Sequence, residues 1–308
     1  MKDNKDSYSA SDVPMVSVVM VAYNSAPYIA EAIAGVVGQR CAFGVQLVIN
    51  DDASTDSTGS IVAEWAAQFP GIIDYRRNDE NLGVQGNYLA ALARCRGKYI
   101  AMCDADDYWC DPSKLQRQVE YMETHPECAL TYHRVINLYE PSGEMSLSNG
   151  GGAVETTAEG LASRNPITNL SVLYRASMMQ LDRLPAWLAD VRLIDYGLHM
   201  LTASRGTLHY SPRPMGVYRH LPSAIWSEAE QGRRLEMALA VRRHLISQLS
   251  DRPELTSRLR KACDDMIAAA NSPAATRRSR RPLLTRLRAA VSRLLPRPRP
   301  AGSRFLSK

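Results

Sequence analysis

The chain has 308 residues, 45% hydrophobic and 22% charged, which excludes wholesale disorder and suits one large α/β domain with additions, or two smaller ones. Its net +5 is unevenly placed, because residues 271–308 hold ten Arg, one Lys and no acid, a local +11 that leaves −6 on the preceding 270 residues. The six cysteines show no CxxC pair, which argues against a zinc ribbon or a disulfide scaffold and for reduced thiols.

In chain order, residues 1–12 are a polar lead-in without the apolar core of a signal peptide. Val16 to Val21 is a continuous apolar run of the kind buried in a parallel sheet, far shorter than the roughly 20 residues that cross a bilayer. Ala26 to Val37 has helical spacing, with Ile29, Ile33, Val36 and Val37 on one face. Gln46 to Asn50 is a second buried strand, and Asp51 to Thr58 is a turn rich in Asp, Ser and Thr. A helix at Ile61–Phe69, a strand at Ile72–Arg76, a helix from near Gly83 through Ala93 and a strand at Tyr99–Met102 complete a βαβ alternation.

Asp111 and Pro112 open a further helix as N-cap and first helical residue, and Asp56 reads as a cap too. From Pro141 to Gly160 the chain is Gly/Ser-rich and reads as a surface loop joining two halves. Residues 166–220 return to strands and helices, and Ser227–Ala270 reads as one or two amphipathic helices. The expected fold is thus α/β, a mostly parallel sheet flanked by helices, with C-terminal helices and a basic tail.

In open α/β sheets ligands sit beyond the carboxyl ends of the strands. Here those ends read Ala22-Tyr23-Asn24, Asn50-Asp51-Asp52 and Asp104-Ala105-Asp106-Asp107. Carboxylates gathered on neighbouring strand ends repel one another unless a cation joins them, and a hard divalent ion takes one or two carboxylates plus substrate phosphates. Asp104, Asp106 and Asp107 therefore read as a metal–diphosphate site, against the plainer alternative of Asx turns and helix caps. Tyr108 and Trp109 read as packing beneath this acid loop. His125, His133, His199, His209 and His244 lack metal-ligand spacing and read as structural.

Four segments in order, VSVVMVAYNSAPYIAEAI, LVINDDASTDST, NLGVQGNYLAAL and GKYIAMCDADDYWCDPSKL, resemble the family 2 glycosyltransferases, from about Val16 to Leu115. The resemblance extends more loosely through IDYGLHMLTASRG and PMGVYRHLPSAIWS. It implies a GT-A-type, Rossmann-like fold over residues 13–225, with a donor half to about 130 and an acceptor half after it, then a helical segment at 226–272. It also implies inverting transfer of a sugar from a nucleotide-sugar donor to a saccharide or polyprenyl-linked acceptor, with Mg²⁺ or Mn²⁺ on the diphosphate.

Carried over residue by residue, Tyr23 and Asp52 correspond to the base-binding pair, between Ala22 and Asn24 at the donor site. Asp104 corresponds to the ribose- or sugar-facing acid and Asp106 to the metal ligand, with Asp107 able to share that task. Asp195 corresponds to the general base, and Arg219 and His220 to groups that stabilise the leaving diphosphate. Three departures stand out: Val21 where some members have Thr, Ala53 in place of the usual Gly, which implies a different turn, and Ile194 in place of a Glu.

The alternatives are a sugar-phosphate nucleotidylyltransferase, which would need a Gly-rich loop where this chain has AYNSAPY, and a non-catalytic saccharide- or membrane-binding protein on the same fold. In the tail, Leu283, Leu284, Leu287, Val291, Leu294 and Leu295 fall on one helical face flanked by Arg286, Arg288 and Arg293. That pattern in 282–295 suits an anionic membrane surface and a cytoplasmic protein peripheral on the inner membrane face. Nucleic acid is not expected, since Phe305 is the one aromatic among the tail's arginines and no recognition motif is present.

Overall fold

The computed structural model describes residues 13–148, 157–222 and 231–272. The lead-in, the expected boundary at 225/226 and the amphipathic stretch 282–295 lie outside these residues. The chain divides into two units, Met1–Cys263 and Asp264–Lys308, of which the second is described only at 264–272.

The alternation read from the sequence is present as β1 (Val16–Ala22), α1 (Ile29–Val37), β2 (Val45–Asp51), α2 (Thr58–Gln68), β3 (Ile73–Arg77), α3 (Gly83–Leu92) and β4 (Tyr99–Met102). Then come β5 (Tyr108–Trp109), α4 (Lys114–Thr124), β6 (Cys128–Tyr139), β7 (Glu144–Leu147), α5 (Ala158–Ser163), β8 (Leu173–Arg175), α6 (Ala176–Met179), α7 (Ile194–Ala203) and β9 (Thr207–His220). The C-terminal segment is two helices, α8 (Gln231–Gln248) and α9 (Pro253–Ala270).

One sheet runs in the order β3-β2-β1-β4-β8-β6-β9-β5, with β7 added on β6. The first four strands are parallel, in register from Val16 opposite Val45 and Tyr99. Beyond β4 the sheet is mixed: β8 is antiparallel to β4 and β6, whereas β9 runs parallel to β6. Helices cover both faces. Val16, Val18, Met20 and Ala22 pack on α1, α2 and α4, while Val19 and Val48 pack with α3, α7, α8 and α9. Alternating β1 side chains thus enter opposite cores, which is why the strand reads as unbroken apolar sequence. Each such buried side chain contributes roughly 1.5–3 kcal/mol.

Some boundaries differ from the sequence reading, for local reasons. Helix α1 begins at Ile29 rather than Ala26, because Pro27 biases Ala26 away from helix and Ser25 O closes a turn onto Tyr28 N and Ile29 N, both 3.0 Å. Asp111 does not cap α4. Its Oδ1 accepts from Ser113 N at 2.9 Å in a turn before the helix, while its Oδ2 accepts from Arg213 Nε at 2.6 Å. The Gly/Ser-rich stretch after Pro141 is not all loop, since Glu144–Leu147 forms β7 and pairs antiparallel with Ile136–Tyr139.

β6 and β9 are paired along most of their length, with a bulge in the middle. His133 faces Ser211 and Val135 faces Gly216, so five steps of β9 oppose two of β6. Pro212 and Pro214 fall in this irregular stretch, the part of a strand where a residue without an N–H is best tolerated.

Candidate active site

One side of the candidate site is built on the ends of β1 and β2. Asp52 N donates to Ala22 O at 2.8 Å, which joins the two strand ends. Asp52 is 3% exposed, and its Oδ1 accepts from both Asn78 Nδ2 and Leu82 N, each at 2.8 Å. Tyr23, which follows Ala22 at the end of β1, is 51% exposed. Asn24 adopts φ +50, a left-handed conformation Asn tolerates, and its Oδ1 accepts from Thr55 N at 2.8 Å.

Asp51 is fully buried and structural, with Oδ1 accepting from Ser54 N at 2.9 Å and Oδ2 from Tyr75 OH at 3.2 Å. Asp56 accepts from Thr58 N and Ala26 N; although partial burial opposes it, these bonds hold its carboxyl below the usual range. Ala53 has φ +59. That is the left-handed conformation, which glycine adopts freely and an L-residue only at a cost.

Beneath these ends lies a network that single residues in the sequence did not announce. Asn50 Nδ2 donates to Asn87 Oδ1 at 2.7 Å and Asn78 Oδ1 at 3.0 Å, and Asn87 Nδ2 returns to Asn50 O at 3.0 Å. It joins β2, the β3–α3 loop and α3. Its only sequence signal was that Asn87 falls inside NLGVQGNYLAAL.

The acid loop follows β4, tied back to β1 by Cys103 N to Val19 O at 3.0 Å. Its three carboxylates have three different settings. Asp104, half-buried, accepts from Tyr88 OH and, at 2.9 Å, from Asn169 Nδ2. Loss of solvent pushes its carboxyl up against those two bonds. Asp106 is also half-buried and takes no side-chain hydrogen bond from another described residue; burial, then the charge of Asp104, raises it to about 6. Asp107 is 2% exposed and turns inward, its Oδ1 accepting from Arg219 N at 2.9 Å, and burial raises it well above the carboxylate range.

Asp195 stands in the first turn of α7, half-buried. Burial, with the charge of Asp104 added, raises it to about 6. Two segments far apart in sequence therefore bring Asp104, Asp106 and Asp195 into one electrostatically coupled cluster. Tyr218, next to Arg219 on β9, also senses all four acids, and its hydroxyl is raised first by burial and then by them.

Arg219 and His220 both make close contacts within the protein. The Arg219 guanidinium lies between the rings of Tyr28 and Tyr108, 5.1 and 4.8 Å from their centroids. It donates to Glu31 and, at 2.9 Å, to the carbonyl of Asp106, so it anchors the acid loop from within. His220 stacks on Tyr139 at 4.3 Å and meets Asn137 Oδ1 at 3.1 Å, at the hairpin end of β6. Trp109 is packed beneath the loop as expected, its Nε1 donating to Leu170 O at 2.9 Å. His133 and His199 are buried in the core. Beyond His220, the segment read as PMGVYRHLPSAIWS passes into residues outside the description.

Among the described residues no three His, Cys, Asp or Glu side chains converge into a cage for a metal ion. What the loop offers is one uncommitted carboxylate, Asp106, beside a tethered one, Asp104. That donor set suits a Mg²⁺ or Mn²⁺ ion which takes most of its ligands from water and a phosphate-bearing substrate. Among the described residues no helix is long and apolar enough to cross a membrane.

Several known proteins are similar to this chain. The glycosyl transferase family 2 model matches residues 17–170, half of the chain. An uncharacterized protein of Mycobacterium tuberculosis is 38% identical over 220 residues, 71% of this chain and 62% of that protein. The chain thus spans 62% of the length of that relative. A glucosyltransferase of Escherichia coli that acts on α-D-GlcNAc-diphosphoundecaprenol is 32% identical over 114 residues, 36% of this chain and 42% of its own. Among solved structures, the mannosyltransferase PcManGT of Pyrobaculum calidifontis, in complex with GDP-Man and Mn²⁺, is 21% identical with a TM-score of 0.58, covering 95% of this chain and 84% of that one. TarS of Staphylococcus aureus in complex with UDP-GlcNAc is 18% identical with a TM-score of 0.55, covering 74% and 65%. At those identities the likeness speaks for the GT-A fold. The strand-end acids, the motif order and the matched model together make this chain a member of glycosyl transferase family 2.

Proposed function

We propose that the protein is a metal-dependent, inverting glycosyltransferase that moves a sugar from a nucleotide-sugar donor to a saccharide or polyprenyl-linked acceptor in surface polysaccharide synthesis. The observation carrying this reading is the set of half-buried acids at the strand ends and at the start of α7, with Asp106 taking no side-chain hydrogen bond from another described residue and Asp195 raised to about 6 by burial and by Asp104. A base with that pKa is ionised at neutral pH yet basic enough to take a proton from an acceptor hydroxyl.

In this mechanism Tyr23 lies beneath the nucleobase and Asp52 accepts from its edge, flanked by Ala22 and Asn24. Asp104, oriented by Tyr88 and Asn169, faces the ribose or the sugar. Asp106 is the residue that would hold Mg²⁺ or Mn²⁺, which when bound neutralises the departing diphosphate. Asp107 and Arg219 fix the position of Asp106, and His220 stays with the hairpin. Asp195 removes the proton from the acceptor hydroxyl as it attacks the anomeric carbon opposite the leaving group, which inverts that centre.

The reading divides the chain into a donor half to about residue 130, an acceptor half to 225, a helical segment to 272 and a tail whose residues 282–295 dock on an anionic membrane, where lipid-linked acceptors reside. A panel of nucleotide-sugars tested by thermal shift with and without Mn²⁺ checks it. Metal-dependent stabilisation by at least one donor is expected, and none by any donor would sink the proposal.

A further inference from the structure

The hydrogen bonds already made by Asp52 bear on which base the donor carries. This step rests on the proposed role of Asp52 at the nucleobase. A carboxylate oxygen has two lone pairs, and Oδ1 of Asp52 uses both, on Asn78 Nδ2 and Leu82 N at 2.8 Å each. Among the described residues nothing donates to Oδ2, and with the residue 3% exposed, a ligand meets only that one oxygen. Guanine presents two adjacent donors, N1–H and N2–H, which match a carboxylate only when both oxygens are free. Uracil and thymine present one donor, N3–H, between two carbonyl acceptors.

The surroundings suit the second pattern. Arg77, at the end of β3, donates Nη2 to Ser54 O at 3.0 Å and sets Nε 3.8 Å from Asp51 Oδ2, while its side chain stays 48% exposed and its Nη1 makes no bond to a described residue. Asn81, exposed, spends one amide hydrogen on Asp52 O at 3.2 Å and has a second to give. Both could serve carbonyls flanking a single imino donor.

We infer that Asp52 offers the nucleobase a single acceptor oxygen and so selects a uridine or thymidine nucleotide over a guanosine one. Guanine seated there would leave one N–H unpaired against a nearly dry carboxylate, a loss of roughly tenfold or more in affinity.

The test is calorimetric titration of the full-length protein with UDP, dTDP and GDP in the presence of Mn²⁺. UDP or dTDP binding at least tenfold more tightly than GDP is the expected result. GDP binding as tightly as either, or tighter, overturns the base selection while leaving the nucleotide site standing. Binding by none of the three overturns that site and the inference together. Asn78→Ala, with its fold checked by thermal melt, frees a lone pair on Oδ1 and should narrow the UDP-to-GDP ratio. An unchanged ratio in a folded Asn78→Ala protein would count against the inference, and the wild-type titration decides it if that variant does not fold.

Discussion

The main-chain N–H of Arg219 donates to Asp107 Oδ1 at 2.9 Å, joining β9 to the acid loop across 112 residues of sequence. The guanidinium of the same residue holds the Asp106 carbonyl at 2.9 Å. One residue of β9 thus grips two consecutive loop residues, leaving Asp107 facing inward and the Asp106 carboxylate uncommitted.

This division predicts opposite phenotypes for neighbouring carboxylates. Asp107→Ala leaves the buried Arg219 N–H unpaired and should cost about 1–3 kcal/mol in urea unfolding, while Asp107→Asn, which retains an acceptor oxygen, should cost less than half of that. Asp106→Asn should remain folded and lose transfer activity by roughly a hundredfold or more. Asp107→Asn with a well-folded body and the activity loss of Asp106→Asn would show that Asp107 is itself a ligand.

Asp106 and Asp195 are both raised to about 6, burial being the larger cause in each. Each proposed role requires the ionised form, so initial rates should rise with pH through about 6 and level off above 7. Asp195→Asn should lower kcat by about 10²–10⁴ with a smaller change in donor KM. The linkage runs the other way for stability. The unfolded carboxyls ionise near 4 while the folded ones still hold protons, so their contribution declines as pH rises from about 4 to about 6. Without ligand, Asp106→Asn should therefore melt a few degrees higher than the parent at pH 7.

Ala53 at φ +59 carries a strain of roughly 1–2 kcal/mol that glycine would not, partly offset by glycine's greater freedom when unfolded. Ala53→Gly should raise stability by about 0.5–1 kcal/mol, read as a higher urea midpoint at unchanged slope. A lower midpoint would show that the turn is not strained.

Lys114 is fully buried, its Nζ 2.8 Å from Gln118 Oε1 and 4.0 Å from the centre of the Trp109 ring, with no carboxylate partner among the described residues. Burial lowers it to about 7, while the charges of Cys103 and Cys41 oppose the shift, and His133 is depressed first by its own burial and then by the charge of Lys114. Between pH 7 and 10 the unfolded chain binds the extra proton, so stability should rise with pH across that window. Urea unfolding at pH 7 and 9 should show the rise in the parent, and in Lys114→Met it should be largely gone.

Deleting residues 273–308 should release the protein from anionic lipid vesicles in a sedimentation assay. Equal sedimentation with and without the tail would place membrane contact elsewhere or nowhere.

The parallel half was legible because its strands are unbroken apolar runs bounded by turn residues, and Tyr99–Met102 matches its expected limits. The β6–β7 hairpin was hidden because Ser-Gly-Glu-Met-Ser has the composition of a loop, and only its partner strand makes it a sheet edge. Strand-end acids stood out as a group, yet DADD alone does not say which carboxylate turns inward. That depends on Arg219 arriving from β9. Tyr88 and Asn169 were missed for the same reason: each supports Asp104 from a different part of the chain. Lys114 sits on a helix where lysines are ordinarily solvated, and no local pattern marks it as enclosed.

The bulge between His133 and Val135 adds three residues to β9 relative to its partner. Side chains of a strand alternate faces, so an odd surplus inverts the order of everything that follows it. Loss of one residue from Pro212–Met215 would turn Arg219 toward the opposite face and hand its place to a neighbour, leaving the acid loop without its inner tether. At this position the count of residues matters more than their kind: substitutions can be absorbed, whereas a single deletion would silence a site that begins more than a hundred residues earlier.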